Sequence, residues 1–157
     1  MDLSKLTKAD KIIFGSGLVF FIAMFLDWFS IDIVGLTSYG INGFDVTFFW
    51  GWLPLLIVLG MCGWIGARTF SSAKLPDQIP QLYLAGAAAV PLLVVFKLLI
   101  GQDNFSRAFG LFVALIAAAA FGFGAFLKFT EQGGDIDAVK AQLKAKADEL
   151  SDKAKPD

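Results

Sequence analysis

Four long runs of apolar residues dominate the hydropathy pattern of the chain. They cover residues 12–29, 46–67, 81–100 and 108–127. As α-helices these runs would each be about 27–33 Å long, close to the hydrocarbon thickness of a bilayer, about 30 Å. Because backbone groups in hydrocarbon must form their hydrogen bonds within the segment, each run is predicted to be a helix. The pattern predicts an all-α membrane protein, with a four-transmembrane-helix bundle in residues 1–130.

The lysines and arginines near the runs predict an orientation, because short cytoplasmic loops are enriched in these residues. One side carries Lys5, Lys8, Lys11, Arg68, Lys74 and Lys128, whereas the opposite side carries Arg107. We therefore expect a multi-pass protein of the cytoplasmic (inner) membrane with both termini in the cytoplasm. The loops at 30–45 and 101–107 would face outward. A signal peptide is disfavoured for the first run, since no small-residue cleavage site follows it.

Residues 131–157 have a different composition, rich in alanine and in charges of both signs. Gly133 and Gly134 should end the fourth helix, and Asp135 is suited to cap a new one. The apolar residues then fall near one helix face: Ile136, Val139, Leu143 and Leu150. This spacing predicts an amphipathic cytoplasmic helix, which is either solvated or docks on a cytoplasmic partner.

Overall composition strengthens the membrane assignment and narrows the chemistry. The chain is 57% hydrophobic and 17% charged, against about 45–50% and about 25% for a soluble domain. It has no histidine and one cysteine, Cys62, so imidazole catalysis and an internal disulfide are excluded. No catalytic motif is present, and we predict a non-enzyme without cofactor, metal or nucleic acid. An enzyme would depend on these acids: Asp27, Asp32, Asp45 or Asp103.

The loop between the first two runs combines turn residues with aromatic side chains. Ile31 and Ile33 alternate with polar residues, the β-branched Val34 follows, and glycines stand at 35, 40 and 43, which predicts a short β-hairpin. Its aromatic and acidic residues form a candidate interaction surface: Trp28, Tyr39, Phe44, Asp45, Trp50 and Trp52. The alternative is an aromatic belt at the membrane interface.

Three short motifs flank this loop: FLDWF at residues 25–29, GFD at 43–45 and GWLP at 51–54. With them, residues 12–127 resemble a group of small four-span membrane proteins common in actinobacteria. The resemblance implies the four-span architecture and no particular activity.

Asp27 and Lys97 are ionisable residues inside predicted spans, and such residues are candidates for function. Both lie near the outer end of their run, so we expect an intramembrane ion pair, formed directly or through Asp45 or Asp103. The alternatives are snorkelling of the two side chains to the interface and an ion or proton pathway.

A stripe of small residues runs along the fourth predicted span: Gly110, Ala114, Ala118 and Gly122. Small side chains at intervals of four allow close helix packing in a membrane. The stripe would pack inside the bundle or against a partner. In the third span, Pro91 predicts a kink, interpreted as a static bend or a hinge.

These features together favour a non-enzymatic accessory or scaffold protein of the membrane. It would sit in the lipid bilayer and associate with a larger membrane protein, or with a second copy of itself. The alternative is a lipid-binding protein or small-molecule transporter that uses the outer aromatic loop and the kinked third span.

Overall fold

The computed structural model describes residues 5–31, 38–70, 80–102 and 104–153. Its elements are α1 (Lys8–Ala23), β1 (Asp27–Ile31), β2 (Tyr39–Asn42), α2 (Trp52–Phe70), α3 (Pro80–Ile100), β3 (Ser106–Arg107), α4 (Phe109–Glu131) and α5 (Ile136–Lys153). Asp32, Lys74 and Asp103, which the sequence interpretation used, lie outside the described residues.

Helix α4 is the centre of the bundle. It packs extensively against both α1 and α3, whereas α2 makes far fewer contacts with its neighbours. α1 and α4 are antiparallel. Asp10, near the start of α1, meets Lys128 near the end of α4, and Leu26, just after α1, packs against Gly110 at the start of α4. The start of α1 and the end of α4 therefore lie at the same end of the bundle.

Among the described residues, three helices are long and apolar enough to cross a membrane: α2, α3 and α4. This agrees with a membrane protein. Helix α1 has 16 residues, a length of about 24 Å, and is not among the three. Three of the four predicted spans thus correspond to helices of spanning length, and the prediction of a fourth such helix is not confirmed.

Helix α1 is shorter than predicted because the chain turns before Asp27. The capping box at its start joins the Thr7 hydroxyl to the backbone N–H of Asp10, while the Asp10 carboxylate accepts from the N–H of Thr7. At the other end, the indole N–H of Trp28 donates to the carbonyl of Ala23 at 2.9 Å. The chain then enters β1, so the predicted helical boundary at Phe29 is wrong.

The three strands form one antiparallel sheet in the order β2-β1-β3. The predicted short hairpin is present as β1 and β2, with Ile31 opposite Tyr39. Strand β3, from the loop between α3 and α4, pairs with β1 through Phe29 and Arg107. The sheet thus joins both loops at the end of the bundle opposite to the contact between Asp10 and Lys128.

Helix α2 begins later than the sequence pattern predicts. Residues 48–51 form turns, with the N–H of Trp50 donating to the carbonyl of Thr47. Pro54 consequently lies in the first turn of α2, where its missing N–H removes no intrahelical hydrogen bond. Pro54 is therefore a helix-start residue.

A glycine pair separates α4 from α5. Gly133 has φ +74°, and its N–H donates to the carbonyl of Thr130, while the N–H of Gly134 donates to that of Phe129. This is the Schellman arrangement that ends many helices. Asp135 then accepts a hydrogen bond from the N–H of Asp137 and caps α5, as predicted. Most described side chains of α5 are exposed.

Candidate functional site

Lys97 is buried near the end of α3, with 4% of its surface exposed. Its Nζ donates to the carbonyl of Gly101 and to Oε1 of Gln102, both at 2.8 Å. It also lies over the ring of Phe29, 5.0 Å from the centroid. Lys97 thus caps the C-terminal end of α3, where a positive charge interacts favourably with the helix dipole.

Asp27 is exposed at the start of β1, and its carboxyl group lies against Gly40 of β2. None of the ion pairs between described residues joins it to Lys97. A link through Asp103 lies outside the described residues. The sequence placed Asp27 inside a helix, and the turn after Ala23 is the reason for the different position.

The proposed interaction surface separates into buried and exposed members. Trp28 is fully buried and packs edge-on against Phe20, 6.4 Å between ring centroids, so it belongs to the core. Tyr39 is 61% exposed and Trp52 is 41% exposed. Two further aromatic side chains, Phe44 and Trp50, are half-buried, and Asp45 is exposed.

Phe44 links the loop to the turn after α1 and to the start of α2. Its ring lies 5.0 Å from that of Phe25 and 5.4 Å from that of Trp52. The indole N–H of Trp52 donates to the carbonyl of Phe44 at 3.2 Å. This row of rings fixes the loop on the bundle and presents exposed aromatic edges, as expected of an interfacial belt.

The four small residues of the α4 stripe are all buried: Gly110, Ala114, Ala118 and Gly122. A side chain at Gly110 would collide with the backbone of Asp27, and one at Gly122 with the carbonyl of Ala87 and the ring of Pro91. The stripe therefore packs inside the chain, and Pro91 fits against a glycine of α4.

The sequence pattern did not predict a buried ion pair between Lys128 and Asp10. Nζ of Lys128 lies 2.8 Å from Oδ1 of Asp10, and their side chains are 10% and 4% exposed. Glu131 is a more distant partner of Lys128, at 3.9 Å. The contact joins the start of α1 to the end of α4.

A local signal for half of this pair was present in the sequence. Thr7 and Asp10 have the spacing of a capping box, which places Asp10 in the first turn of α1. Lys128 follows the fourth apolar run directly, and its positive charge by itself predicts only the side of the membrane on which it lies. Its pairing with Asp10 depends on the antiparallel packing of α1 and α4.

An apolar groove of about 350 Å³ lies between α2 and α3. Its walls include Leu56, Trp64 and Leu82, and small residues form part of its lining, among them Gly60 and Ala85. Tyr83 also lines it and is 2% exposed. Its hydroxyl has no hydrogen-bond partner among the described residues.

The groove borders an open face of α2, which we define by Leu56, Leu59, Gly60, Gly63 and Ala67, all exposed. Leu56 and Gly60 belong both to this face and to the groove lining. A Cβ at Gly60 or Gly63 would meet no described atom within 4 Å. On the other side of α2, by contrast, Gly17 of α1 closely approaches Cys62 and Val58. The open face is thus the side of α2 turned away from the bundle.

Comparison of the chain with protein-family models, with curated proteins and with solved structures finds no match.

Proposed function

We propose that this protein is a non-enzymatic accessory or scaffold protein of the cytoplasmic membrane. It would bind a transmembrane helix of a larger membrane protein on the open face of α2. The observation that carries the proposal is that small residues occupy a helix face that nothing in the described part of the chain covers.

Glycine on such a face calls for a physical reason. In a helix it is less favourable than alanine by about 1 kcal/mol. Helices in lipid associate through close backbone approach, which small residues allow. Gly63 and Ala67 are four residues apart on the open face, the spacing that lets a second helix approach closely. A partner helix would therefore recover the stability that these residues do not contribute within the chain.

The same proposal includes a membrane crossing by α1. Together with the turn that follows it, α1 accompanies α4 from the contact of Asp10 with Lys128 to that of Leu26 with Gly110. That stretch of α4 is about 27 Å long, close to the thickness of the hydrocarbon layer. The predominance of lysine and arginine at the end with Asp10 supports a cytoplasmic location for this end.

The test is photocrosslinking in native membranes. A photoreactive amino acid replaces Gly63 on the open face or, as the matched control, Gly15 of α1. Both glycines are exposed, and a Cβ at either would meet no described atom within 4 Å. We expect a crosslinked protein of one discrete mass from position 63 and none from position 15.

Mass spectrometry of that adduct then identifies the partner. Its yield should fall when Ala67 is replaced by Leu, because the larger side chain blocks close helix approach. Equal adducts from positions 63 and 15, or lipid adducts alone from position 63, would contradict the proposal.

The alternative, a transporter built around Pro91, has less support. The Pro91 ring fits against Gly122 of α4, an arrangement suited to stable packing.

A further inference from the structure

We propose that the groove between α2 and α3 binds one acyl chain of an anionic phospholipid, with the phosphate held between Arg68 and the hydroxyl of Tyr83. The groove shares Leu56 and Gly60 with the open face of α2, but binding of a lipid in it needs no second protein.

The groove has the shape and lining that an acyl chain requires. It lies between two helices that are each long and apolar enough to cross a membrane, and its volume is about 350 Å³. Its lining is made of apolar side chains and of the small residues Gly60, Ala85, Gly86 and Ala89. Gly60, Ala85 and Ala89 leave room for a chain between the helices, whereas Met61 packs against Gly86. Large side chains such as Trp64 and Leu82 enclose the sides of the groove.

A basic residue lies at one end of the groove. Arg68 follows Trp64 by four residues on α2, so it is one turn further along the same helix face. This end also has most of the basic residues that flank the helices, namely Lys5, Lys8, Lys11 and Lys128. Basic pockets between membrane helices on the cytoplasmic side bind anionic lipid head groups.

Tyr83 supplies the second observation. Its side chain lines the groove and is 2% exposed, and its hydroxyl is unpaired within the described ranges. Buried hydroxyl groups are normally hydrogen-bonded. Arg68 and Asp10 both lie near this hydroxyl, and the negative charge of Asp10 is balanced by Lys128. A phosphate oxygen next to Arg68 would accept its hydrogen bond.

The experiment measures lipid binding to the purified full-length chain in mild nonionic detergent by native mass spectrometry. The probes are phosphatidylglycerol and phosphatidylcholine with identical acyl chains. We expect one phosphatidylglycerol per chain, bound more tightly than phosphatidylcholine. Arg68→Gln should lower the affinity for phosphatidylglycerol by about fivefold, the factor expected for one basic residue near an anionic surface. The affinity for phosphatidylcholine should not change.

Two variants fill the groove: Gly60→Leu and Ala85→Leu. Each substitution should lower the affinity for both lipids more than tenfold. The control Gly63→Leu, one turn further along α2, should leave both affinities unchanged. A variant counts as folded when its thermal unfolding temperature lies within a few degrees of that of the wild type. Lipid binding is then compared for whichever groove-filling variant, Gly60→Leu or Ala85→Leu, is folded.

Three results would overturn the inference. Equal affinity for the two lipids would remove the assignment of an anionic head group. Undiminished lipid binding by a folded groove-filling variant would place the lipid elsewhere. A dimer that disappears in Gly60→Leu, without a lipid adduct in the wild type, would assign the groove to a second copy of the chain. Loss of the partner crosslink at Gly63, by contrast, bears on the proposed function alone.

Discussion

The buried ion pair between Lys128 and Asp10 makes a quantitative prediction about stability. Replacing Lys128 with Met removes the positive charge and keeps a long side chain of similar shape. The Asp10 carboxylate then loses the partner at 2.8 Å and keeps the backbone hydrogen bond from Thr7. We expect this variant to be strongly destabilised.

The magnitude follows from the burial of both groups. Their side chains are 10% and 4% exposed, so solvent cannot replace the lost partner. Leaving one charge of a buried pair uncompensated costs about 3–5 kcal/mol. Asp10→Asn keeps the capping oxygen and leaves Lys128 with Glu131, which is 3.9 Å away and partly exposed. Its cost should therefore be smaller.

The double variant, Asp10→Asn with Lys128→Met, should be more stable than the sum of the two single losses predicts. Because it leaves no buried charge at this site, we expect a coupling free energy of about 2–3 kcal/mol. The exposed α5 residue Lys140, replaced with Met, provides the control and should change stability by less than about 0.5 kcal/mol.

The assay is reversible unfolding in mixed micelles at neutral pH, followed by circular dichroism and tryptophan fluorescence. Repeating it at high salt adds a second criterion, because salt screens a buried pair much less than an exposed one. Strict additivity of Asp10→Asn and Lys128→Met would refute the reasoning. So would loss of the coupling at high salt.

The remaining predictions concern the packing and the turns, and the same unfolding assay measures them. Gly122→Leu should cost about 1–3 kcal/mol, because a side chain there collides with α3; an unchanged stability would contradict the close approach. Trp28→Phe should cost about 1–3 kcal/mol through the lost buried hydrogen bond, and clearly more than Trp52→Phe, whose indole is partly exposed. Gly133→Ala should cost about 1–2 kcal/mol because φ is positive there, whereas Gly15→Ala in α1 should be neutral or stabilising; equal effects would argue against the turn.

Much of the helical architecture could be predicted from local patterns. The boundaries of α3 were predicted within one residue at each end, and α4 within four. Asp135 was identified as the cap of α5 from its position after two glycines. These features depend on near neighbours in the chain, because hydropathy and capping residues act over a turn or two of helix.

The end of α1 could not be predicted in this way. Residues 24–29 continue the apolar run, and hydropathy alone cannot distinguish a membrane helix from a buried strand. The boundary is decided by the indole of Trp28 on the carbonyl of Ala23 and by the pairing of β1 with β3. Strand β3 lies between α3 and α4, far along the chain from β1.

The sequence by itself determined the membrane class, the long apolar helices, the hairpin between the first two runs and the helical tail, since each follows from composition or from the period of its side chains. Only the tertiary structure decided which charges meet. Lys97 donates hydrogen bonds to Gly101 and Gln102, and among the described residues Asp10 forms a buried ion pair with Lys128. The physical reason is that a charge in an apolar bundle is stabilised by whichever partner the helix packing brings within reach, and that packing depends on glycines whose close contacts lie on other helices.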